Sequence, residues 1–237
     1  LAFENLIRGW PARLLLGVVA AAGLSVPFGI SMGASGAFFL RVYVKIVVFA
    51  ALVTVAMRGA RDLWFFVWAY VVAVGILAWL SLFVFQVQPE GGSYALRLND
   101  LYKYDANDAG LLLVVGIPLV LLAFQSSKWR GRVVSGAILA GIGASVARGG
   151  SRGAFVGLVV VGLLLLWTAR HISWAKRLGF LGAVVVALAL AAPPGYWRQM
   201  ETVLRPTQDY NWTESHGRGQ IFRRGLGYMW QYPLFGV

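Results

Sequence analysis

A chain of 237 residues that is 59% hydrophobic and only 13% charged is not composed like a soluble domain, where roughly a quarter of residues carry charge. Its net charge of +12 would suggest a nucleic-acid partner in a soluble protein. Here the lysines and arginines fall between long uncharged apolar runs, which the positive-inside rule explains with no nucleic acid involved. The absence of cysteine, with two histidines in all, excludes a disulfide framework, thiolate chemistry and a Cys/His zinc site.

The expected fold is all-α: a polytopic transmembrane helix bundle with about seven spans over 1–192, followed at 193–237 by the start of a large periplasmic loop. Trp10 and Arg13 are interfacial anchors ahead of the first span, 14–30. A small-residue turn at 31–36 precedes the second, 37–57, which is unusual in carrying Arg41 and Lys45 one turn apart. Snorkelling to the interface explains Arg41, whereas the deeper Lys45 calls for a partner or a wet cavity. The third span, 63–87, is rich in Trp and Phe. The polar stretch 88–108 holds Glu90, Asp100, Asp105 and Asp108 with Arg97 and Lys103. Its end, Asp105-Ala106-Asn107-Asp108, is expected to cap the fourth span, 109–124, through Asn107 or Asp108. These carboxylates have no spacing of a standard hard-metal loop, so no metal site is expected. Pro118 is expected to kink the fourth span. The fifth, 133–147, is short and rich in Gly and Ala. The sixth, 153–169, opens with Gly153-x-x-x-Gly157, a spacing that lets helices approach closely. The seventh, 178–192, stops at Pro193-Pro194.

Charge in the connections orients this array. Arg8 and Arg13, then Arg58 and Arg61, then Lys128, Arg130 and Arg132, then Arg170, Lys176 and Arg177 all fall on one side of a seven-span topology, which is therefore the cytoplasm. The opposite side holds the polar stretch 88–108, Arg148–Arg152 and everything from Pro193 onward.

Arg148-Gly149-Gly150-Ser151-Arg152-Gly153 consequently places two arginines where the charge rule disfavours them. They are either interfacial anchors on lipid phosphates or a site for a phosphorylated ligand. Arginine suits the second role because its planar fork holds phosphate oxygens bidentately and keeps its charge. Glycines that permit close backbone approach, and the N-terminus of the sixth helix, favour an anion at the same place. Beyond Pro193 lie Arg198, Arg205, Arg218, Arg223 and Arg224, with Trp and Tyr residues fit for sugar stacking or interfacial anchoring. His216 reads as a structural residue. The chain lacks an initial Met and a signal peptide, and stops inside an ordered-looking run, so it is expected to be an internal piece of a longer protein.

Three pieces in order resemble the O-antigen ligase and O-antigen polymerase superfamily. They are Asp105-Ala106-Asn107-Asp108-Ala109-Gly110 with Pro118 following, Ser151-Arg152-Gly153-Ala154 opening a helix, and Ser215-His216-Gly217-Arg218 followed by Phe222, Trp230 and Pro233-Leu234-Phe235-Gly236-Val237. The resemblance spans 14 to the end of the chain. It implies an enzyme of the bacterial inner membrane with its active site facing the periplasm, a metal-independent glycosyltransferase with no cofactor. Its partners would be an undecaprenyl-diphosphate-linked glycan donor, a lipid A core or glycan acceptor, and membrane lipids. It implies that Arg152 and Arg218 hold the diphosphate, while Asp105, Asn107, Asp108, Ser151 and Gly153 are motif residues; Arg148, Arg41 and Lys45 are further candidates by their placement alone. The family's histidine base lies beyond Val237, so the catalytic residue is not identified and the chain alone is expected to be inactive. Ligase, which transfers glycan to lipid A core, is the first reading. A polysaccharide polymerase of the same superfamily is the second. A transporter or flippase of lipid-linked sugars is the rival from another class, disfavoured by the lack of an internal repeat.

Overall fold

The computed structural model describes residues 10–29, 31–57, 59–89, 94, 96–99, 105–168 and 173–233. Arg8, Arg58, Glu90, Asp100, Lys103, Arg170 and the closing residues 234–237 lie outside them, as do the ends of the expected spans at Ile30 and Ala169. The architecture is helical, as composition requires. In chain order it comprises α1 (Trp10–Ser25), α2 (Met32–Ala56), α3 (Ala60–Phe83), α4 (Ala106–Ser126), α5 (Trp129–Gly149), α6 (Arg152–Thr168), α7 (Trp174–Ala191), α8 (Tyr196–Glu201), α9 (Tyr210–Thr213) and α10 (Arg218–Gln231). The contacts divide the chain into two units, one of 1–64 with 214–237 and one of 65–213.

In the first unit, α1 ends in a short 3-10 turn, Val26–Phe28, containing Pro27. The small-residue segment expected as a turn is instead helix. Ser31 caps α2 by accepting the N–H of Ala34 at 3.3 Å, and Gly33, Ala34, Ser35 and Gly36 continue into its first turns. A capping serine with no proline behind it starts a helix more readily than it reverses a chain. A π-helical turn at Phe39–Tyr43 widens α2 around Arg41. Arg41 and Lys45 are both exposed on this helix. The last helix, α10, presents exposed Ile221, Phe222 and Met229.

The second unit is organised around α4. Its core joins Val67, Val71, Val74 and Ala78 of α3, Leu113, Val114, Ile117 and Val120 of α4, Ile142 and Val146 of α5, and Ala154 of α6. Missing side chains set the closest approaches. A Cβ on Gly116 would lie 2.9 Å from the Val74 methyls, and one on Gly110 would lie 2.5 Å from the Ala154 Cβ. Polar bonds cross the same interfaces: Ser145 Oγ donates to the Ala78 carbonyl at 3.1 Å, and the Tyr70 hydroxyl to the Leu112 carbonyl at 3.2 Å. Hydrogen bonds of this kind join helices where no water competes. Pro118 lies within α4, which continues across it.

The large apolar side chains outside the core face outward, among them Phe65, Leu111, Leu163 and Leu190. A water-facing protein would not expose so much contiguous apolar surface, whereas a lipid-facing one must. Three helices, Met32–Ala56, Ala60–Phe83 and Ala106–Ser126, are long and apolar enough to cross a membrane, and α1, α6 and α7 contain shorter apolar stretches. The expected third span ends at Phe83 and not at 87, because Val87–Pro89 pairs antiparallel with Leu96–Leu98. This two-stranded ribbon, with Gln88 opposite Arg97, is the only sheet among the described residues.

Candidate anion-binding site

One end of the second unit gathers the chemistry. The end of α3, the ribbon, the start of α4, the α5–α6 turn and α8 all meet there. Asp105, not Asn107 or Asp108 as expected, is the cap of α4. Its Oδ1 accepts the N–H of Asn107 and of Asp108, each at 2.7 Å, while Asp108 reaches back to the Asp105 N–H at 3.4 Å. This reciprocal capping box frees the Asn107 side chain for other work. The Asn107 amide donates to Asp105 Oδ2 at 3.2 Å, and its oxygen accepts from Ser151 Oγ at 2.7 Å. Burial raises the Asp105 carboxyl, but the N–H of Asp108, the Asn107 amide and N–H, and the Arg97 charge together hold it below its ordinary range.

The buried Ser151 starts α6, accepting the Ala154 N–H at 3.2 Å while giving its own proton to Asn107. The first and second signature pieces are therefore one hydrogen-bonded unit. The same bond takes up an N–H that the sequence left open for an anion. Gly150, at φ 61°, makes the left-handed turn out of α5, and a Cβ on Gly149 would lie 3.7 Å from Leu98 Cδ1. Those two glycines thus serve the turn and its packing. Gly153 is different: it lines a cleft of about 250 Å³ between α4 and α6, with Asn107 and Asp108 at one end and Leu111, Val114, Ala154 and Gly157 along the walls. Of the expected Gly153/Gly157 pair only Gly157 faces a neighbouring helix, where an added Cβ would lie 3.3 Å from Val114.

Arg152 and Arg148 part company here. The Arg148 guanidinium turns inward, and its Nη2 donates to the Phe85 carbonyl at 3.3 Å, tying α5 to the end of α3. That contact braces Arg148 against the end of α3. Arg152, the first residue of α6, faces the segment after Pro193. Its Nη1 donates to Thr202 Oγ1 at 2.9 Å and pairs with Asp209 Oδ1, and the guanidinium lies over the Tyr210 ring, 5.2 Å from its centroid. The Tyr210 hydroxyl accepts from Arg97 Nη1 at 3.4 Å, so one tyrosine links two arginines.

Aromatic packing holds this segment in place. Phe155 meets Tyr196 and Trp197 edge-on at 6.4 and 6.5 Å, which docks α8 on α6. Tyr196 is fully buried, and burial pushes its hydroxyl up to about 12. The buried Gln199 accepts from the Tyr94 N–H at 3.0 Å, and Arg198 stacks on the Tyr94 ring at 4.4 Å. Sequence reading missed Arg97, Thr202, Asp209 and Tyr210 as site residues. Arg218 opens α10 in the other unit, exposed, after Ser215 and His216, whose Oγ and Nδ1 lie 3.0 Å apart. Arg41 and Lys45 belong to that unit as well. Among the described residues, no three His, Cys, Asp or Glu side chains converge as a metal site would require.

Residues 142–237 match the family model described as O-antigen ligase. Over these residues, less than half of its length, the chain is similar to that family. The matched stretch contains Arg148, Ser151, Arg152, Thr202, Asp209, Tyr210 and Arg218, whereas Asp105, Asn107 and Asp108 precede it. No curated protein and no solved structure matches the chain.

Proposed function

We propose that this protein is a membrane glycosyltransferase of the O-antigen ligase type. It would take a glycan from undecaprenyl diphosphate at the periplasmic face of the bacterial inner membrane and transfer it to lipid A core. The observation that carries this reading is Arg152, a fixed and partly exposed guanidinium at the start of α6, inside the segment that matches the family. As the bond between the sugar and the diphosphate breaks, negative charge grows on the leaving oxygen. A preoriented guanidinium in a water-poor site stabilises that charge without reorganising, in the place a divalent cation would otherwise take. Arg218 is the second diphosphate ligand in this reading, and Arg41 and Lys45 are further candidates on α2. The cleft between α4 and α6 has apolar walls that suit the lipid chain of the donor, and its Asp108 end carries no cation, which leaves the diphosphate to Arg152.

Arg152→Ala should abolish glycan transfer while the protein still inserts, the loss of one such donor being worth about 2.7–4 kcal/mol in the barrier. Arg152→Lys should fail too, since a point charge cannot reproduce a two-point grip. Complementation of a deletion strain, read on a lipopolysaccharide gel, tests both; wild-type ladders with the alanine variant would refute the reading. The deletion itself separates the functions. Bare core with glycan retained on the carrier indicates a ligase, and core capped with a single repeat indicates a polymerase. Purified enzyme given donor and acceptor should release undecaprenyl diphosphate, which a flippase would not.

A further inference from the structure

If Arg152 is to grip a diphosphate, a long flexible side chain must be held still, and the contacts around it are arranged on one edge. Asp209 Oδ1 and Thr202 Oγ1 both engage the same nitrogen, Nη1. Thr202 gives its own proton to the Gln199 carbonyl at 2.7 Å, which commits its oxygen to accepting from Arg152. Gln199 is in turn fixed by the Tyr94 N–H. The Asp209 backbone is anchored independently, its carbonyl accepting the N–H of Trp212 at 2.9 Å and of Thr213 at 3.1 Å. Tyr210 lies against the flat face of the guanidinium and is steadied by Arg97. Among the described residues, Arg152 Nη2 and Nε make no hydrogen bond, and the side chain keeps 16% of its surface open.

We propose that Asp209, Thr202 and Tyr210 form a positioning clamp that holds Arg152 by Nη1 and presents its Nη2–Nε edge to one phosphate group of the donor. This proposal rests on the reading of Arg152 as a diphosphate ligand and assigns the residues that orient it. The planar guanidinium is what makes the division possible, because one edge can be occupied while another stays geometrically complete. An alternative role for Asp209 predicts the opposite sign. If the carboxylate were a stand-in for phosphate, to be displaced on binding, its removal would tighten anion binding.

The test is equilibrium binding of undecaprenyl diphosphate to the purified full chain in lipid nanodiscs. Asp209→Ala should weaken binding about tenfold, the scale of one oriented charge-assisted contact. Asp209→Asn keeps the acceptor at Oδ1 and should restore most of the affinity. Thr202→Val should weaken binding in the same direction, and Thr202→Ser should restore it. This pattern of loss and conservative rescue supports the clamp. Binding by Asp209→Ala that equals or exceeds wild type overturns it in favour of a displaced counter-anion. Equal loss in Asp209→Ala and Asp209→Asn also overturns it, because the charge and not the bond geometry would then matter. If Arg152→Ala itself binds like wild type, the diphosphate reading fails, an outcome distinct from failure of the clamp.

Discussion

Arg152 and Asp105 show how differently two charged residues can be legible. Arg152 stands out in the sequence because its topological side is wrong for a cation, so a local rule flags it. Its partner Thr202 is 50 positions away and carries no signal, since a threonine among loop residues is unremarkable until the chain folds back. Asp105 is visible as part of an acidic cluster, but the bonding order is not: the sequence points to Asn107 or Asp108 as the cap of α4, and the geometry selects Asp105, which accepts two N–H groups at once. Asp105→Ala should cost about 1 kcal/mol, the usual worth of a cap. Because the folded carboxyl sits below its ordinary value, its contribution is complete above the unfolded pKa, about 3.9, and fades as pH falls through the lower folded value. Thermal melting of wild type and Asp105→Ala in detergent should therefore show a gap at neutral pH that closes on strong acidification. A gap that persists unchanged would mean that the cap does not act through its charge.

At the scale of elements, helix existence was readable from apolar length, but helix contact was not. The expected packing pair was Gly153 and Gly157, whereas the tight crossing of α4 and α6 is made by Gly110 against Ala154. Spacing identifies small residues that could permit close approach, but the rotation of the helix decides which of them meet a neighbour. Gly153 turns to the cleft, where an added Cβ would meet nothing nearer than Ser151 Oγ at 3.9 Å. Gly110→Ala should thus separate the two helices or shift their register, a small-to-large change of the kind that costs about 1–3 kcal/mol. Gly153→Ala should fold and melt like wild type, and any effect it has should appear in donor binding. Melting curves on the pair check this, and equal destabilisation by both would contradict the assigned faces. The α3 end was also misread: an alternating apolar tail looked like continued helix, and pairing with Leu96–Leu98 draws it into the ribbon that carries Arg97 to the site.

The second unit as a whole has two chemically distinct ends, and α4 joins them. With 21 residues it is about 30 Å long, the thickness of a bilayer's hydrocarbon core. At its start are Asp105, Asn107 and the Arg152–Asp209 cluster. Past its other end, Trp129 lies under the Arg130 guanidinium at 5.5 Å and Trp174 under that of Arg177 at 5.9 Å, both indoles exposed. Tryptophan with a basic neighbour is the usual furniture of a membrane interface, and basic residues favour the cytoplasmic one. The orientation predicted from this has Ser126 on the cytoplasmic side and Gln208, next to Asp209, on the outer side. These 237 residues contain no cysteine, so single replacements among them report cleanly. Ser126→Cys and Gln208→Cys, both at exposed positions, should be blocked by opposite treatments. A membrane-impermeant maleimide added to spheroplasts should label position 208 and spare 126, and inverted vesicles should reverse the result. Labelling of both positions from one side would show that α4 does not cross. Labelling with the sides exchanged would put the arginine site in the cytoplasm, where a periplasmic glycan transfer could not use it.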